Sequence, residues 1–239
     1  MDSRYARGSG RYRTRGARSA PVFARRRRRV PARAVALALA LLALVFAASR
    51  LAASMPGCSA ATDAVPLQST PVAEWEKGSV PYLYQTDPAW AAEPYAGGTV
   101  EENGCGPTCL AMVYVDLTGR KDLDPAGMAA FSEEGGHVDS GMTSWTLMTA
   151  GAAKLGLASE ELPADESSVL SALSQGRPVI CSVGPGDFTT TGHFIVLAGL
   201  DGSGGVSVHD PNSEERSHRA WDVGRILSQC RNLWAFSAA

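Results

Sequence analysis

The most regular hydrophobic pattern in the chain begins near residue 105. Apolar side chains recur there at the i, i+3, i+4 and i+7 spacing of one buried helical face, at Leu110, Val113, Tyr114 and Leu117. Thr118-Gly119 interrupts the pattern, and Pro107 suits a first helical turn because its missing amide proton costs nothing there. We therefore predict a buried helix that starts near Cys105.

Two further helices are predicted between residues 143 and 176. Thr143 or Ser144 can cap the first one, which ends at Gly156. Its apolar side chains repeat at helical spacing, at Trp145, Met148, Ala152 and Leu155. Asp165 can cap the second helix, which ends at Gly176. We expect both helices to contribute to the core.

Short apolar runs later in the chain predict β-strands, at residues 178–183, 193–197, 206–209 and 233–236. Turn-forming residues at 201–205 separate the second run from the third, so these two resemble a hairpin. Helices followed by strands are typical of an α+β fold. We expect the helix that begins near Cys105 to pack against the sheet, with a groove between them.

Charge divides the chain into two regions. Residues 1–33 carry twelve arginines and one acidic residue, whereas the remainder carries ten basic and twenty-three acidic residues. Residues 34–55 form an apolar segment whose only charged residue is Arg50. Residues 56–78 contain prolines and small polar residues typical of a linker. One domain remains, residues 79–239, which is long enough for a sizeable core.

The apolar segment 34–55 predicts either a transmembrane anchor or a cleaved signal. Because an arginine-rich flank stays in the cytoplasm, domain 79–239 would lie outside it, held at the cell membrane or secreted. An arginine-rich head alone is also typical of a nucleic-acid-binding arm. The apolar segment that follows it favours the membrane, and we predict no nucleic-acid partner.

Three residues carry the groups that a cysteine hydrolase needs. Cys105 would lie at the first turn of a helix, where the helix dipole favours a thiolate, and Gly104 and Gly106 would let backbone approach a substrate closely. His193 stands at the leading end of a predicted strand, and Asp210 follows the next strand 17 positions later. Across a hairpin, the carboxylate would hold the imidazole in one tautomer. The combination favours a Cys-His-Asp triad.

The same residues resemble the C39-like peptidases of the papain-like cysteine protease superfamily. The matching segments are residues 84–90, Gly104-Cys105-Gly106-Pro107-Thr108, Gly192-His193-Phe194 and Asp210-Pro211. The resemblance covers most of the chain after residue 78. It implies a papain-like fold with the nucleophile helix packed on an antiparallel sheet. It also implies hydrolysis of peptide bonds through a thioester acyl-enzyme, with a peptide or protein as substrate.

The resemblance further implies an oxyanion donor upstream of the nucleophile. In this superfamily a glutamine side chain and the backbone amide of the cysteine hold the oxyanion. Gln85 is the candidate, although it stands 20 positions before Cys105, farther upstream than in papain. Asn103 is the alternative donor.

Five cysteines in an exported chain suit one thiol that is kept free for chemistry. The pairing of Cys58, Cys109, Cys181 and Cys230 stays open. For Cys109, one helical turn after Cys105, we expect a buried structural role or a bridge to Cys181. The sequence contains no Cys-x-x-Cys, and its histidines are not spaced like zinc ligands, so we predict no metal and no cofactor.

Two other functions fit the same residues. A cell-wall peptidoglycan amidase or endopeptidase can also use a Cys-His pair. A catalytically inactive C39-like binding domain would keep the shape without the chemistry. Reaction of Cys105 with an electrophile separates the second alternative from an enzyme.

Overall fold

A computed structural model describes residues 67–239. The predicted arginine-rich head (1–33) and apolar segment (34–55) lie outside these residues, as does the first part of the predicted linker (56–78). Within the described part of the chain, no helix combines the length and the apolar character that crossing a membrane requires.

The described strands form two small hairpins and one larger sheet. The hairpins pair β1 (Pro94–Tyr95) with β2 (Gly98–Thr99), and β3 (Val138–Asp139) with β4 (Met142–Thr143). The sheet contains β5 (Leu157–Glu161), β6 (Val179–Val183), β7 (His193–Leu200), β8 (Val206–His209), β9 (Ala220–Trp221) and β10 (Cys230–Ala238). All its pairings are antiparallel, and its spatial order is β5-β10-β6-β7-β8-β9. β5 and β9 are therefore its edges.

The described helices are short apart from one. They are α1 (Val100–Asn103), α2 (Cys105–Thr118), α3 (Pro125–Glu134), α4 (Ala150–Lys154), α5 (Glu166–Ser174), α6 (Glu214–Ser217) and α7 (Val223–Leu227), with 3-10 turns at Val72–Glu74 and Trp145–Met148. The longest, α2, packs on β7 and β10 of the sheet and on α3.

Helix α2 confirms the prediction made from hydrophobic spacing. It begins at Cys105 and ends at Thr118, where Gly119 adopts a left-handed backbone with φ of 72°. Burial extends beyond one face, because every residue from Gly106 to Asp116 is buried. The helix is enclosed between the sheet and α3, so apolar side chains are needed all around it.

Both faces of the sheet are covered. Phe194 and Val196 of β7 pack in the core that contains α2. Ile195 and Leu197 pack on the opposite side, with residues of α5 and α7. Because both faces are buried, the central strands appear in the sequence as unbroken apolar runs rather than as an alternating pattern.

One predicted helix is interrupted. Ser144 caps the 3-10 turn Trp145–Met148, and Thr149 leaves helical geometry before α4 begins. Thr143, the other predicted cap, lies in β4 instead. The Asp165-capped helix is confirmed as α5.

The α+β class is confirmed, with the nucleophile helix packed on an antiparallel sheet as the papain-like resemblance implies. The predicted separation into a helical half and a sheet half is incomplete. Strand β5 comes before α5 in the chain, yet it pairs with β10 at the edge of the sheet.

Candidate active site

A cleft of about 460 Å³ opens beside the first turn of α2 and the ends of β6 and β7. Cys105 and His193 both line it, together with Met142, Trp145 and Arg231. The structure therefore brings the predicted nucleophile and the predicted base to one solvent-accessible site.

Cys105 is the first residue of α2 and is partly exposed. Gly104 before it offers no side chain to cap the helix, and the first turn contains no acidic residue. The positive end of the dipole of a 14-residue helix is thus directed at the thiol. Cys105 therefore occupies the end of a helix at which proteins commonly bind anionic groups.

The antiparallel pair β7 and β8 brings His193 and Asp210 together. The Nε2–H of His193 donates to Oδ1 of Asp210 at 2.8 Å, and both side chains are almost fully buried. Since the carboxylate only accepts, Nε2 carries the proton of this bond, and Nδ1 is left for another partner. The predicted hairpin geometry is confirmed at this position.

Asp210 also interacts with a residue that sequence reasoning missed. Arg216 of α6 donates from Nε to Oδ2 at 2.5 Å, and the backbone N–H of Asn212 donates to Oδ1 at 2.8 Å. Burial raises the pKa of Asp210, but hydrogen bonds from His193 and Arg216 outweigh it and hold the pKa below its ordinary value. The sequence offers one signal for this contact, because Arg216 follows within one short helix of Asp210, a carboxylate that a triad would bury.

The protonation of His193 reflects its two neighbours. Burial lowers its pKa, but the hydrogen bond to Asp210 and the interaction with Cys105 more than compensate and raise the pKa to about 9. The imidazole is therefore protonated at neutral pH. The cleft that Cys105 lines therefore contains a cationic ring that is hydrogen-bonded to a carboxylate.

Cys109, one turn further along α2, differs sharply from Cys105. It is fully buried, and burial, followed by the charges of Cys105 and Asp210, raises its pKa well above the ordinary range. Cys109 and Cys181 are both free thiols and belong to cores on opposite faces of the sheet. Cys109 therefore fills a structural position, and the bridge considered as an alternative is not formed.

Gln85 is buried, and its contacts hold it beside the orienter. Its backbone N–H donates to the Pro211 carbonyl at 2.7 Å, and its Nε2 donates to the Glu101 carbonyl at 2.6 Å. Its Oε1 is buried without a hydrogen-bond partner among residues 67–239. Asn103, by contrast, lines the cleft and donates to the Tyr95 carbonyl at 3.3 Å. The oxyanion role of Gln85 stays a prediction, with Asn103 as the alternative.

The β3–β4 hairpin contributes one side of the cleft. Thr143 packs against Gly106, where a Cβ would come within 2.6 Å of the Thr143 Cγ2. The hydroxyl of Tyr95 is hydrogen-bonded to Oγ1 of Thr143 at 2.8 Å. Gly106 therefore gives room to the hairpin, which is a different reason for glycine from the substrate approach we expected.

Two exposed apolar side chains line the cleft with Cys105. Met142 is 66% exposed and Trp145 is 45% exposed, and both line the cleft. Trp145 meets the ring of Trp234 edge-on at 5.7 Å. Helical periodicity assigned Trp145 to a buried face, and it gave no signal for Met142 or Arg231.

A family model described as the Peptidase_C39 like family matches residues 77–236. The chain belongs to this family. The resemblance found in the sequence motifs is thereby confirmed, and C39-like membership supports a peptidase-type function with a peptide or protein substrate.

One similar solved structure is the peptidase domain of Streptococcus ComA, a bi-functional ABC transporter involved in a quorum-sensing pathway. It shares 19% identity with this C39-like chain, with a TM-score of 0.44, over 58% of this chain and 93% of that one. A search of curated proteins found no match. Among residues 67–239, no group of three or more His, Cys, Asp or Glu side chains could hold a metal ion.

Proposed function

We propose that this C39-like protein is a cysteine peptidase that cleaves peptide bonds through Cys105, His193 and Asp210. One observation carries the proposal. His193 lines the same cleft as the partly exposed Cys105 at a helix N-terminus, and it is hydrogen-bonded to the buried Asp210, whose pKa is lowered. Nucleophile, base and orienter thus stand in the order that thiol acyl transfer requires.

The reaction begins with the proton of Cys105 held on Nδ1 of His193. The thiolate attacks the substrate carbonyl, and the tetrahedral intermediate collapses to a thioester while His193 protonates the leaving amine. Water, deprotonated by His193, then attacks the thioester and releases the acid. Asp210 keeps the ring oriented throughout, and Arg216 keeps Asp210 charged.

The oxyanion would be held by the backbone amide of Cys105 and one side-chain amide. Gln85 is proposed from the family resemblance, because one N–H of its Nε2 remains after the bond to Glu101. Asn103 is the competing donor, because it lines the cleft. We expect kcat to fall about 10²- to 10³-fold in the variant that loses the true donor, Gln85→Ala or Asn103→Ala. The other variant should keep most of its kcat.

We further propose that the peptidase domain acts outside the cytoplasm. Support comes from the arginine-rich residues 1–33 and the apolar segment 34–55, which would anchor the chain in the membrane or direct its secretion. Protease accessibility of the domain on intact cells tests this topology. Digestion only after the cells are lysed would contradict it.

The decisive experiment compares Cys105→Ala with the matched variant Cys109→Ala. Each full-length protein is treated with iodoacetamide near neutral pH, mapped by mass spectrometry, and assayed on a mixed peptide library. Cys105→Ala should lose labelling at this site and at least about 10⁴-fold of its hydrolysis, whereas Cys109→Ala should retain both. Hydrolysis that survives in Cys105→Ala would show that Cys105 is not the nucleophile. A wild-type protein that neither labels nor cleaves would indicate a binding domain.

A further inference from the structure

Arg231 reaches the cleft through an irregularity in the sheet. The register of β10 against β6 shifts between Cys230, which pairs with Val183, and Asn232, which pairs with Ser182. Arg231 is therefore the extra residue of a β-bulge. Bulges of this kind redirect a side chain and occur often beside active sites. Here the redirected side chain lines the same cleft as Cys105 and His193.

A glycine at the end of the paired strand β6 makes room for this arginine. A Cβ at Gly184, the residue directly after β6, would lie 2.7 Å from Nε of Arg231 and 3.2 Å from its Nη2. The guanidinium thus lies across the end of β6 over a position that has no side chain. Even alanine, which adds only one methyl group, would displace the guanidinium.

The Arg231 guanidinium is not ion-paired with an acidic side chain in the described part of the chain. None of the ion pairs formed among residues 67–239 includes Arg231. Glu102 also lines the cleft, but its Oε2 is held by the backbone N–H of Thr99 at 3.1 Å in a capping box, and it forms no ion pair with Arg231. Met142 and Trp145, the exposed side chains nearby, are apolar. His193 is paired with Asp210, so Arg231 is the cleft cation that remains available for an anionic substrate group.

We propose that Arg231 binds a substrate carboxylate close to the scissile bond, so that the enzyme selects acidic peptides. A planar guanidinium matches a carboxylate with two parallel hydrogen bonds. The carboxylate can belong to an Asp or Glu side chain or to the C-terminus of a short peptide. Arg231 is then a specificity residue, and its role rests on the peptidase function proposed above.

The test uses matched peptide pairs and the full-length protein. One set carries Glu or Gln at each of the two positions on either side of the cleaved bond. A second set ends shortly after that bond in a free carboxylate or in an amide. We expect kcat/KM of the wild type to favour the charged member of at least one pair by about 10- to 100-fold, the range of a charge-assisted hydrogen bond. The set that shows the preference identifies the source of the carboxylate.

Three variants assign the preference to Arg231. In Arg231→Gln the ratio between charged and neutral peptides should fall close to one, and in Arg231→Glu it should invert. Gly184→Ala keeps the positive charge but displaces it, so the ratio should fall partway. Arg219, which stacks on Trp221 at 3.7 Å, is the control, and Arg219→Gln should keep the wild-type ratio. A ratio that is unchanged in both Arg231 variants would overturn the proposal.

Binding measurements separate this proposal from the proposed reaction. The Cys105→Ala protein is titrated with the same fluorescently labelled peptides, with and without Arg231→Gln. A preference for the charged peptide that disappears with Arg231→Gln supports the carboxylate site even if no peptide is hydrolysed. Absence of any preference in both binding and hydrolysis contradicts it, even if neutral peptides are cleaved normally.

Discussion

Two groups of residues at the cleft are built in different ways. The proposed catalytic group, Cys105, His193 and Asp210, lies at the ends of regular elements, and both His193 and Asp210 are buried. The rim group, Met142, Trp145 and Arg231, lies on a two-residue hairpin, a 3-10 turn and a β-bulge, and is exposed. His193 and Asp210 are held by a hydrogen bond to each other and by bonds from Arg216 and Asn212 to Asp210. The rim group depends instead on two glycines, Gly106 and Gly184, which leave space for the hairpin and for Arg231.

The difference separates chemistry from selection. Proton transfer tolerates little displacement, and a histidine locked between two partners on a packed strand meets that demand. Recognition of varied side chains needs surfaces that can change without unfolding the core, and irregular segments offer them. Substitutions in the first group should therefore affect kcat, whereas those in the second should affect preference and KM.

After loss of the nucleophile, the largest effect is expected at Asp210, the proposed orienter. Asp210→Asn should lower kcat/KM by about 10²- to 10⁴-fold, the range for general acid–base catalysis, because the imidazolium loses its anionic partner. The wild-type rate should also fall as pH rises through about 9, where His193 loses its proton. The variant should show this alkaline loss at lower pH, because the bond that raises the pKa of His193 is weakened. Asp122→Asn, near the far end of α2, is the control for the pH–rate profiles. A wild-type rate in Asp210→Asn would point to Asn212 or to a dyad.

The second effect concerns the folding stability of the protein and depends on a histidine next to Asp210. His209 precedes Asp210 and is buried, with Nδ1 bonded to the Pro81 carbonyl at 3.2 Å and its ring stacked on Tyr82 at 3.9 Å. Burial lowers its pKa to about 4. The unfolded chain takes up this proton near pH 6.5, so folding stability should fall as pH drops from 6.5 towards 4, by up to ~3 kcal/mol.

The variant His209→Gln checks this contribution. It should be less stable than the wild type at pH 7, because it loses the stacking, but its free energy of unfolding should decrease less between pH 7 and pH 4. Urea unfolding at both pH values measures the difference. Equal decreases in the two proteins would show that the imidazole does not carry the acid sensitivity.

A smaller effect should follow from filling the space under the hairpin. Gly106→Ala places a methyl group within 2.6 Å of Thr143, which must move together with Met142 beside it. We expect a loss of about 1–3 kcal/mol in stability, as for other overpacked sites, and a lower kcat/KM. Gly199→Ala, where a Cβ meets nothing within 4 Å, is the matched control for thermal unfolding and kinetics. No change relative to Gly199→Ala would mean that the hairpin adapts freely.

The smallest effect is expected at Trp145. Trp145→Ala removes an exposed apolar surface from the rim, so KM should rise about 3- to 30-fold, with a smaller change in kcat. Leu200→Ala removes a similarly exposed side chain at the far end of β7 and should leave KM close to that of the wild type. A decrease confined to kcat would move Trp145 from the rim group to the catalytic group.

The positions of Cys105, His193 and Asp210 could be predicted from sequence because each of them adjoins a periodic element. The spacing of Leu110 to Leu117 gave the start of α2 at Cys105, and the apolar runs around residues 194–197 and 206–209 gave a hairpin that pairs His193 with Asp210. The local pattern was sufficient here, because two strands that follow each other in the chain are usually adjacent in space.

The rim group could not be predicted in this way. Trp145 continues a helical pattern, but Thr149 breaks the helix and the side chain faces the cleft. The position of Arg231 depends on a register shift and on Gly184, which lies 47 positions earlier in the chain. Arg216 reaches Asp210 through a four-residue helix too short to show periodicity. Such contacts arise from tertiary packing, which local propensity does not encode.

The ends of the sheet affect how the molecule behaves in a crowded solution. β9 has only two residues, and β5 carries Glu160 and Glu161, the first of which pairs with Arg177. Neither border offers the long, flat and apolar stretch of unpaired backbone from which fibrils grow. Self-association by strand addition is therefore disfavoured. The edges of the sheet also do not compete with the cleft for the extended backbone of a peptide.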